Sequence, residues 1–420
     1  MGRRYFGTDG VRGVVGQDFT HELVERLGRA ATLWSGRGRV FVGRDTRASG
    51  EELEEAFARG VVAAGGSAVL AGVLPTPAVA LLALDLGVVI TASHNPPEYN
   101  GVKFFAGDGS KLSDLAEEEI EALLHKEGPG GGEIDRVDVA MDSYLEHVSE
   151  RFGSDLSGLR IGVDCANGAY SAIAPKAFEQ LGAEVVPIGV EPDGKNINLG
   201  CGATDLAALS RTVLDRQLDL GVAFDGDGDR MLAVDERGEI VDGDQIIAAV
   251  ALDLEVDAVA VTSMTNLGFH RLMGERGIAV HTTDVGDRYV LEALRRDGAV
   301  LGGEQSGHVI YLRDHVTGDG LAAALLLCAA LKGRPLSQVV GAMHRYPQAK
   351  ANIRVSRQEV PASVQAEVER MNMELDGSGR VLVRPSGTEP LVRVLAEAET
   401  GEESEALCAR IAALVRRELG

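Results

Sequence analysis

Leu86-Gly87-Val88-Val89-Ile90 runs directly into Thr91-Ala92-Ser93-His94-Asn95-Pro96. The first five residues carry no polar side chain, which is the pattern of a strand buried on both faces. Pro96 cannot join a strand ladder and punctuates the chain there. The stretch therefore predicts a buried strand that delivers Ser93 to a sharp turn at its carboxyl end. In open α/β sheets, ligands bind at that end of the strands.

Strand and helix patterns alternate on both sides of it. Arg39–Val42 reads as a strand, Gly43-Arg-Asp-Thr-Arg47 as a turn, and 51–64 as a helix. Ala68–Ala71 is the next strand, and a helix over 77–84 leads back to Leu86. Such alternation indicates βαβ units. Gly128-Pro-Gly-Gly-Gly132 breaks a helix ending near Lys126, and another helix runs from Met141 to Phe152. A second unit starts at strand Leu159–Val163. It continues through helix 171–182 and strand 184–188 and closes on Leu220–Phe224. A third starts near Gln245, with strand Ala258–Thr262 and a core helix over 318–331. The remainder differs. Strands Ala351–Val355, Arg380–Arg384 and Leu391–Leu395 precede a helix that places Leu407, Ile411, Leu414 and Val415 on one face. The expected fold is α/β: three successive mixed α/β domains, 1–150, 151–244 and 245–345, then a smaller C-terminal α+β domain, 346–420. Three α/β units of about 100 residues each, an ordinary domain size, suggest an ancestral triplication.

Composition narrows the function. Lys and Arg total 41 against 64 Asp and Glu, a formal charge of -23. Nucleic-acid binding needs a basic footprint, so no nucleic-acid partner is expected, and no anionic membrane surface either. Phosphate can still bind where arginines gather locally. The 4 cysteines are scattered with no CxxC pair, as in reduced cytoplasmic proteins. The amino terminus lacks the apolar region of a signal peptide. Residues 60–84 carry no charge and are long enough to span a bilayer. Gly65-Gly66 and Pro75-Thr-Pro77 fit a strand, a turn and a helix better.

Asp225-Gly-Asp227-Gly-Asp229-Arg230 follows an apolar strand. Fully extended, Asp225 and Asp229 would lie ~13 Å apart. A single Mg²⁺ needs oxygens at about 2.1 Å, so the loop must curl, which Gly226 and Gly228 permit. The spacing also mimics a calcium hand, with Glu236 at the twelfth position. Arg230 replaces the glycine that hand requires, and a strand precedes it instead of a helix. A solvated turn is the remaining reading, opposed by the mutual repulsion of three carboxylates.

Ser93 alone is ambiguous, because serines commonly form such turns. No Gly-x-Ser-x-Gly elbow surrounds it, which argues against an α/β-hydrolase. Lys103 offers a general acid or base if its pKa is lowered in the site. Glu304, Ser306 and His308 alternate in Gly303-Glu-Gln-Ser-Gly-His308, so their side chains can point one way and meet vicinal hydroxyls. Arg384-Pro-Ser-Gly-Thr388 with Arg393 combines guanidinium groups, two hydroxyls and glycine-exposed amides, a phosphate cradle. Arg12, in Phe6-Gly-Thr-Asp-Gly-Val-Arg-Gly13, carries no chemistry readable from spacing.

Taken together, in this order, these strings resemble the α-D-phosphohexomutase superfamily from Phe6 to about Glu397. Within it, Phe6–Gly13, the glutamine of Gly303–His308 and Val285-Gly-Asp-Arg-Tyr-Val290 are most similar to the bacterial branch acting on glucosamine phosphates. Pro97-Glu-Tyr-Asn100 departs from that branch. Tyr99 stands where aspartate is expected, as in enzymes acting on mannose and glucose phosphates, and that alternative stays open. The resemblance implies four domains around a central cleft and a cytoplasmic isomerase. It would interconvert glucosamine 6-phosphate and glucosamine 1-phosphate, feeding UDP-N-acetylglucosamine and cell-wall precursors. Ser93 would carry the phosphoryl group. Asp225, Asp227 and Asp229 would hold one Mg²⁺ per subunit together with that phosphoserine. Arg12, His94, Lys103 and Arg230 would be catalytic residues around the reacting phosphate. Glu304, Ser306 and His308 would bind sugar hydroxyls; Arg384, Ser386, Gly387, Thr388 and Arg393 would bind the distal phosphate. A sugar 1,6-bisphosphate would prime Ser93, and a homodimer is compatible with all of this. A metal-dependent phosphohydrolase and a non-catalytic sugar-phosphate binder are the readings from other classes.

Overall fold

The computed structural model describes residues 4–7, 9–36, 38–355, 359–386 and 391–419. Leu86–Ile90 is a strand buried at every residue. It sits where a seven-stranded sheet changes direction. On one side it pairs parallel with Arg39–Arg44, which pairs parallel with Ser67–Val73. On the other it pairs antiparallel with Tyr99–Ala106, and Gly10–Val14 follows beyond. The turn carrying Ser93 is thus the loop of an antiparallel hairpin at the end of a parallel strand.

This arrangement recurs twice. Leu220–Phe224 pairs parallel with Arg160–Asp164 and antiparallel with Met231–Asp235, so residues 225–230 form the hairpin loop. Leu301–Gly303 pairs parallel with Ala258–Thr262 and antiparallel with Val309–Tyr311, leaving 304–308 as the loop. One topology in three sheets is what a triplicated unit would produce. The fourth sheet is wholly antiparallel, with Leu391–Glu397 between Gln348–Arg354 and Arg380–Pro385. Helices Ala362–Leu375 and Gly401–Leu419 cover one of its faces, where Val364, Met371, Ile411 and Val415 pack with Val381, Val392 and Val394.

Local chemistry explains the first layer of helices. Thr20 caps helix His21–Trp34 by accepting a hydrogen bond from Leu23 N. That helix packs against Gly50–Ala63 through Gly28 and Gly60. A Cβ on Gly28 would lie 2.3 Å from Phe57 O, and one on Gly60 2.0 Å from Glu25 O. The uncharged stretch 60–84 is the end of this helix, a strand and the short helix Thr76–Leu81. No helix among the described residues is long and apolar enough to cross a membrane.

Several elements differ from the sequence expectation. Helix 77–84 is shorter, Thr76–Leu81, and helix 171–182 shrinks to Ala174–Gln180. The helix expected to end near Lys126 stops at Ala122. Strands Tyr99–Ala106 and Met231–Asp235 were not foreseen, nor were helices Ala207–Arg216, Leu267–Glu275 and Asp287–Asp297. By compactness the chain divides into Met1–Thr262 with His281–Gly341, and Ser263–Val280 with Ala342–Gly420. Ser93, the acidic loop and residues 304–308 belong to the first unit; Arg384 and Arg393 belong to the second.

Candidate active site

Ser93 occupies the left-handed region at φ 52. For a residue with a Cβ this costs about 1–2 kcal/mol, so the surroundings must hold it there. Its N–H donates to Thr91 Oγ1 at 2.9 Å, and its hydroxyl donates to Asp225 Oδ2 at 2.6 Å. His94 Nδ1 lies 3.2 Å from Ser93 Oγ. Burial, then the charges of Arg230 and Arg12, press His94 down to about 4, so its ring is neutral at pH 7. Arg12 pairs with Asp9 and reaches Asn95 Oδ1 at 3.4 Å.

The acidic loop is curled, as a single-ion site demands. Asp225, Asp227 and Asp229 are all buried, and each offers an oxygen within 4.8 Å of the others. Gly226 and Gly228 make the curl possible. A Cβ on Gly226 would meet Ile197 at 2.7 Å, while Gly228 has φ +79 and would meet the Tyr170 ring at 2.4 Å. Asp227 Oδ1 and Asp229 Oδ1 are buried without a hydrogen-bond donor. Burial, then repulsion from Asp227 and Asp229, pushes Asp225 well above the carboxylate range, against the pull of Arg230 and the Ser93 hydroxyl. Hard carboxylate oxygens gathered this closely, two of them without a hydrogen-bond donor, fit a hard divalent cation.

Lys103 is enclosed by carboxylates. Its Nζ lies 2.7 Å from both Asp227 Oδ2 and Asp229 Oδ2, and 3.2 Å from Asp9 Oδ2. Burial works to lower its pKa, but these three carboxylates outweigh that and hold it well above the ordinary lysine value. In this geometry the surrounding carboxylates favour the charged form of Lys103. The charges continue in a closed circuit. Asp9 Oδ1 is 2.7 Å from Lys111 Nζ, and Lys111 is 2.5 Å from Asp287 Oδ2. Asp287 is 3.3 Å from His308 Nε2, and His308 Nδ1 is 3.7 Å from Asp229 Oδ1. Burial opposes the charged form of His308, but Asp287 and Asp229 overcome it and raise its pKa.

Glu304, Ser306 and His308 do not share one environment. A tight turn, with Gly307 N donating to Glu304 O at 3.0 Å, forms the loop. His308 is buried against the acidic loop, Ser306 is exposed, and half-buried Glu304 accepts from Gly286 N at 3.1 Å. Arg230 N donates to Asp225 Oδ1 at 3.2 Å, and its Nε is 3.9 Å from Asp229 Oδ1. In the C-terminal unit, Arg384 and Arg393 are direct cross-strand partners on the face opposite the helices. Like charges so placed repel, which suits an anion site. Arg393 Nη2 donates to Ser386 Oγ at 3.4 Å. Gly387 and Thr388 lie outside the described residues.

Sequence reasoning missed several residues. Asp9 and Asp287 lie in Phe6–Gly13 and Val285–Val290, where spacing alone signals no role for either. Thr76 donates from Oγ1 to Asp227 Oδ2 at 2.7 Å. Arg47, read only as part of a turn, is buried beneath the Ser93 loop. Asn198, whose Nδ2 donates to Ser93 O at 2.9 Å, gave no sequence signal.

Four domain families match in chain order. Phosphoglucomutase/phosphomannomutase alpha/beta/alpha domains I, II and III cover residues 3–130, 142–238 and 242–346, and the C-terminal domain covers 351–414. The chain belongs to the phosphoglucomutase/phosphomannomutase family. Among its curated relatives, the phosphoglucosamine mutase of Pelotomaculum thermopropionicum is 47% identical, over 98% of each chain. That of Bacillus subtilis is 45% identical over 99% of each. A Burkholderia thailandensis family member has a similar structure, with TM-score 0.83, 26% identity, and 98% and 96% of the two chains covered. The fold also matches Aspergillus fumigatus N-acetylphosphoglucosamine mutase in complex with GlcNAc-6P and magnesium, at TM-score 0.70 and 18% identity, covering 99% and 96%.

Proposed function

We propose that this chain interconverts glucosamine 6-phosphate and glucosamine 1-phosphate through a phosphorylated Ser93 and a sugar 1,6-bisphosphate. The observation that carries it is the Ser93 hydroxyl, 2.6 Å from Asp225 of a buried carboxylate triad. Full-length relatives named phosphoglucosamine mutase support the sugar assignment.

Asp225, Asp227 and Asp229 would hold Mg²⁺. When bound, the ion neutralises charge on the transferring phosphoryl group as a Lewis acid. Arg12 and Arg230, whose charges both act on neighbouring His94, would add positive charge around the reacting phosphate. Lys103, whose charged form the neighbouring carboxylates favour, would be an electrostatic partner of the phosphate. Neutral His94 keeps a hydrogen-bonding nitrogen beside Oγ. In the forward half, the Oγ–P bond breaks and the phosphate joins the free C1 hydroxyl, which loses its proton. After the bisphosphate turns around, the C6 phosphate returns to Oγ and the C6 oxygen regains a proton. The cycle therefore balances without a co-substrate: the bisphosphate is its internal intermediate, and added bisphosphate is needed only to prime or re-prime Ser93. Glu304, Ser306 and His308 would select the sugar. Arg384, Ser386 and Arg393, with Gly387 and Thr388, would hold the phosphate that is not being transferred.

Arg384→Ala is expected to weaken glucosamine 1-phosphate and glucosamine 6-phosphate alike, by about 2–4 kcal/mol or roughly 30- to 1000-fold. Calorimetric titration with each monophosphate checks this, and loss of only one of them would contradict a shared cradle. Tyr99 favours a second reading, action on mannose or glucose phosphates. A panel of 6-phosphosugars, with 1-phosphate formation followed by NMR, separates the two. Glucosamine 6-phosphate is expected to turn over fastest; a glucose or mannose phosphate in first place would install the alternative.

A further inference from the structure

We propose that Arg47 is the positioning residue of the Ser93 turn, holding the serine in its left-handed conformation from beneath. The inference rests on Ser93 being the phosphoryl carrier. Arg47 lies in Gly43-Arg-Asp-Thr-Arg47, at the end of strand Arg39–Arg44, and is 1% exposed. A guanidinium has five N–H donors in a rigid fork. Nη2 donates to Ser93 O at 2.9 Å and Asn95 O at 2.8 Å. Nη1 donates to Tyr99 O at 3.0 Å and Pro96 O at 2.5 Å. Nε donates to Asp45 Oδ2 at 2.9 Å. Every donor is used, and the chain from Ser93 to Tyr99 is wrapped around one cation.

The same network grips Ser93 from its other side. Ser93 N donates to Thr91 Oγ1, and Thr91 Oγ1 donates to Asp45 Oδ2 at 2.7 Å. Asp45 is the carboxylate that fixes Arg47. Both the N–H and the carbonyl of Ser93 are therefore tied to one buried ion pair. Asn198 Nδ2 adds a second donor to the Ser93 carbonyl. A strained conformation persists only when it is over-determined in this way. Nothing in the network touches the Ser93 hydroxyl, so the effect is on where Oγ points. Lysine cannot substitute, because a single ammonium has three donors and no planar fork.

The test measures phosphate uptake by dephosphorylated protein from glucose 1,6-bisphosphate, read as the intact-mass increment over time. Arg47→Lys and Arg47→Ala are expected to slow uptake about 100-fold, the scale of an ångström-sized misplacement, with affinity for glucosamine 6-phosphate unchanged. Millimolar guanidinium should restore at least about tenfold in Arg47→Ala, while urea, a neutral isostere without charge to pair Asp45, should not. Uptake at the parent rate in a folded Arg47 variant would overturn the proposal, as would equal stimulation by guanidinium and urea. Should neither variant fold, Asn198→Ala decides: about tenfold slower uptake supports the clamp, and parental uptake overturns it. No uptake by the parent protein would instead refute Ser93 as the phosphoryl carrier.

Discussion

Asp227→Asn is expected to lower turnover by about three orders of magnitude while the protein stays folded. An amide oxygen is a weaker ligand than a carboxylate for a hard cation that must offset transition-state charge. The same substitution removes one negative charge from three buried carboxylates within 4.8 Å of each other, which relieves repulsion. An amide oxygen can still accept from Thr76 Oγ1, and Lys103 keeps Asp229 and Asp9 as partners. Melting temperature should therefore move by only a few degrees. EDTA treatment of the parent should mimic the loss, and Mg²⁺ should restore it. Full activity in EDTA would exclude a catalytic metal.

Removing the serine hydroxyl has the largest expected effect. Ser93→Ala should abolish turnover, together with the phosphate adduct of about 80 Da. Ser93→Gly should be equally inactive yet at least as stable. The left-handed φ of 52 costs a residue with a Cβ about 1–2 kcal/mol, somewhat more than the entropy glycine forfeits on ordering. Two variants that match in activity but differ in melting temperature separate loss of the phosphoryl carrier from loss of structure. A Ser93→Ala protein that still forms glucosamine 1-phosphate would sink the mechanism.

What could be read from the sequence follows from where the information lies. Leu86–Ile90, Leu220–Phe224 and Ala258–Thr262 matched to the residue, because strands buried on both faces are continuous apolar runs. Tyr99–Ala106 escaped because Asn100 and Lys103 interrupt its pattern. Both are buried, and Lys103 is tolerated only because three carboxylates from distant segments surround it. For the same reason the condition set for Lys103, a lowered pKa, is not met beside these carboxylates, which raise it. The Asp225, Asp227 and Asp229 spacing was informative because one short loop supplies all three carboxylates. Arg47 was not, because its partners Ser93 and Tyr99 lie 46 and 52 residues away. Glu304, Ser306 and His308 were legible as a group because they share one short loop, whose tight turn the flanking glycines permit.

The most direct test follows the phosphoryl group itself. Protein radiolabelled on Ser93 would be mixed with unlabelled glucosamine 6-phosphate and the products separated. The label should leave the protein and appear in glucosamine phosphates, with little released as inorganic phosphate. Release of the label mainly as inorganic phosphate would identify a phosphohydrolase, and retention on the protein would contradict phosphoryl transfer through Ser93.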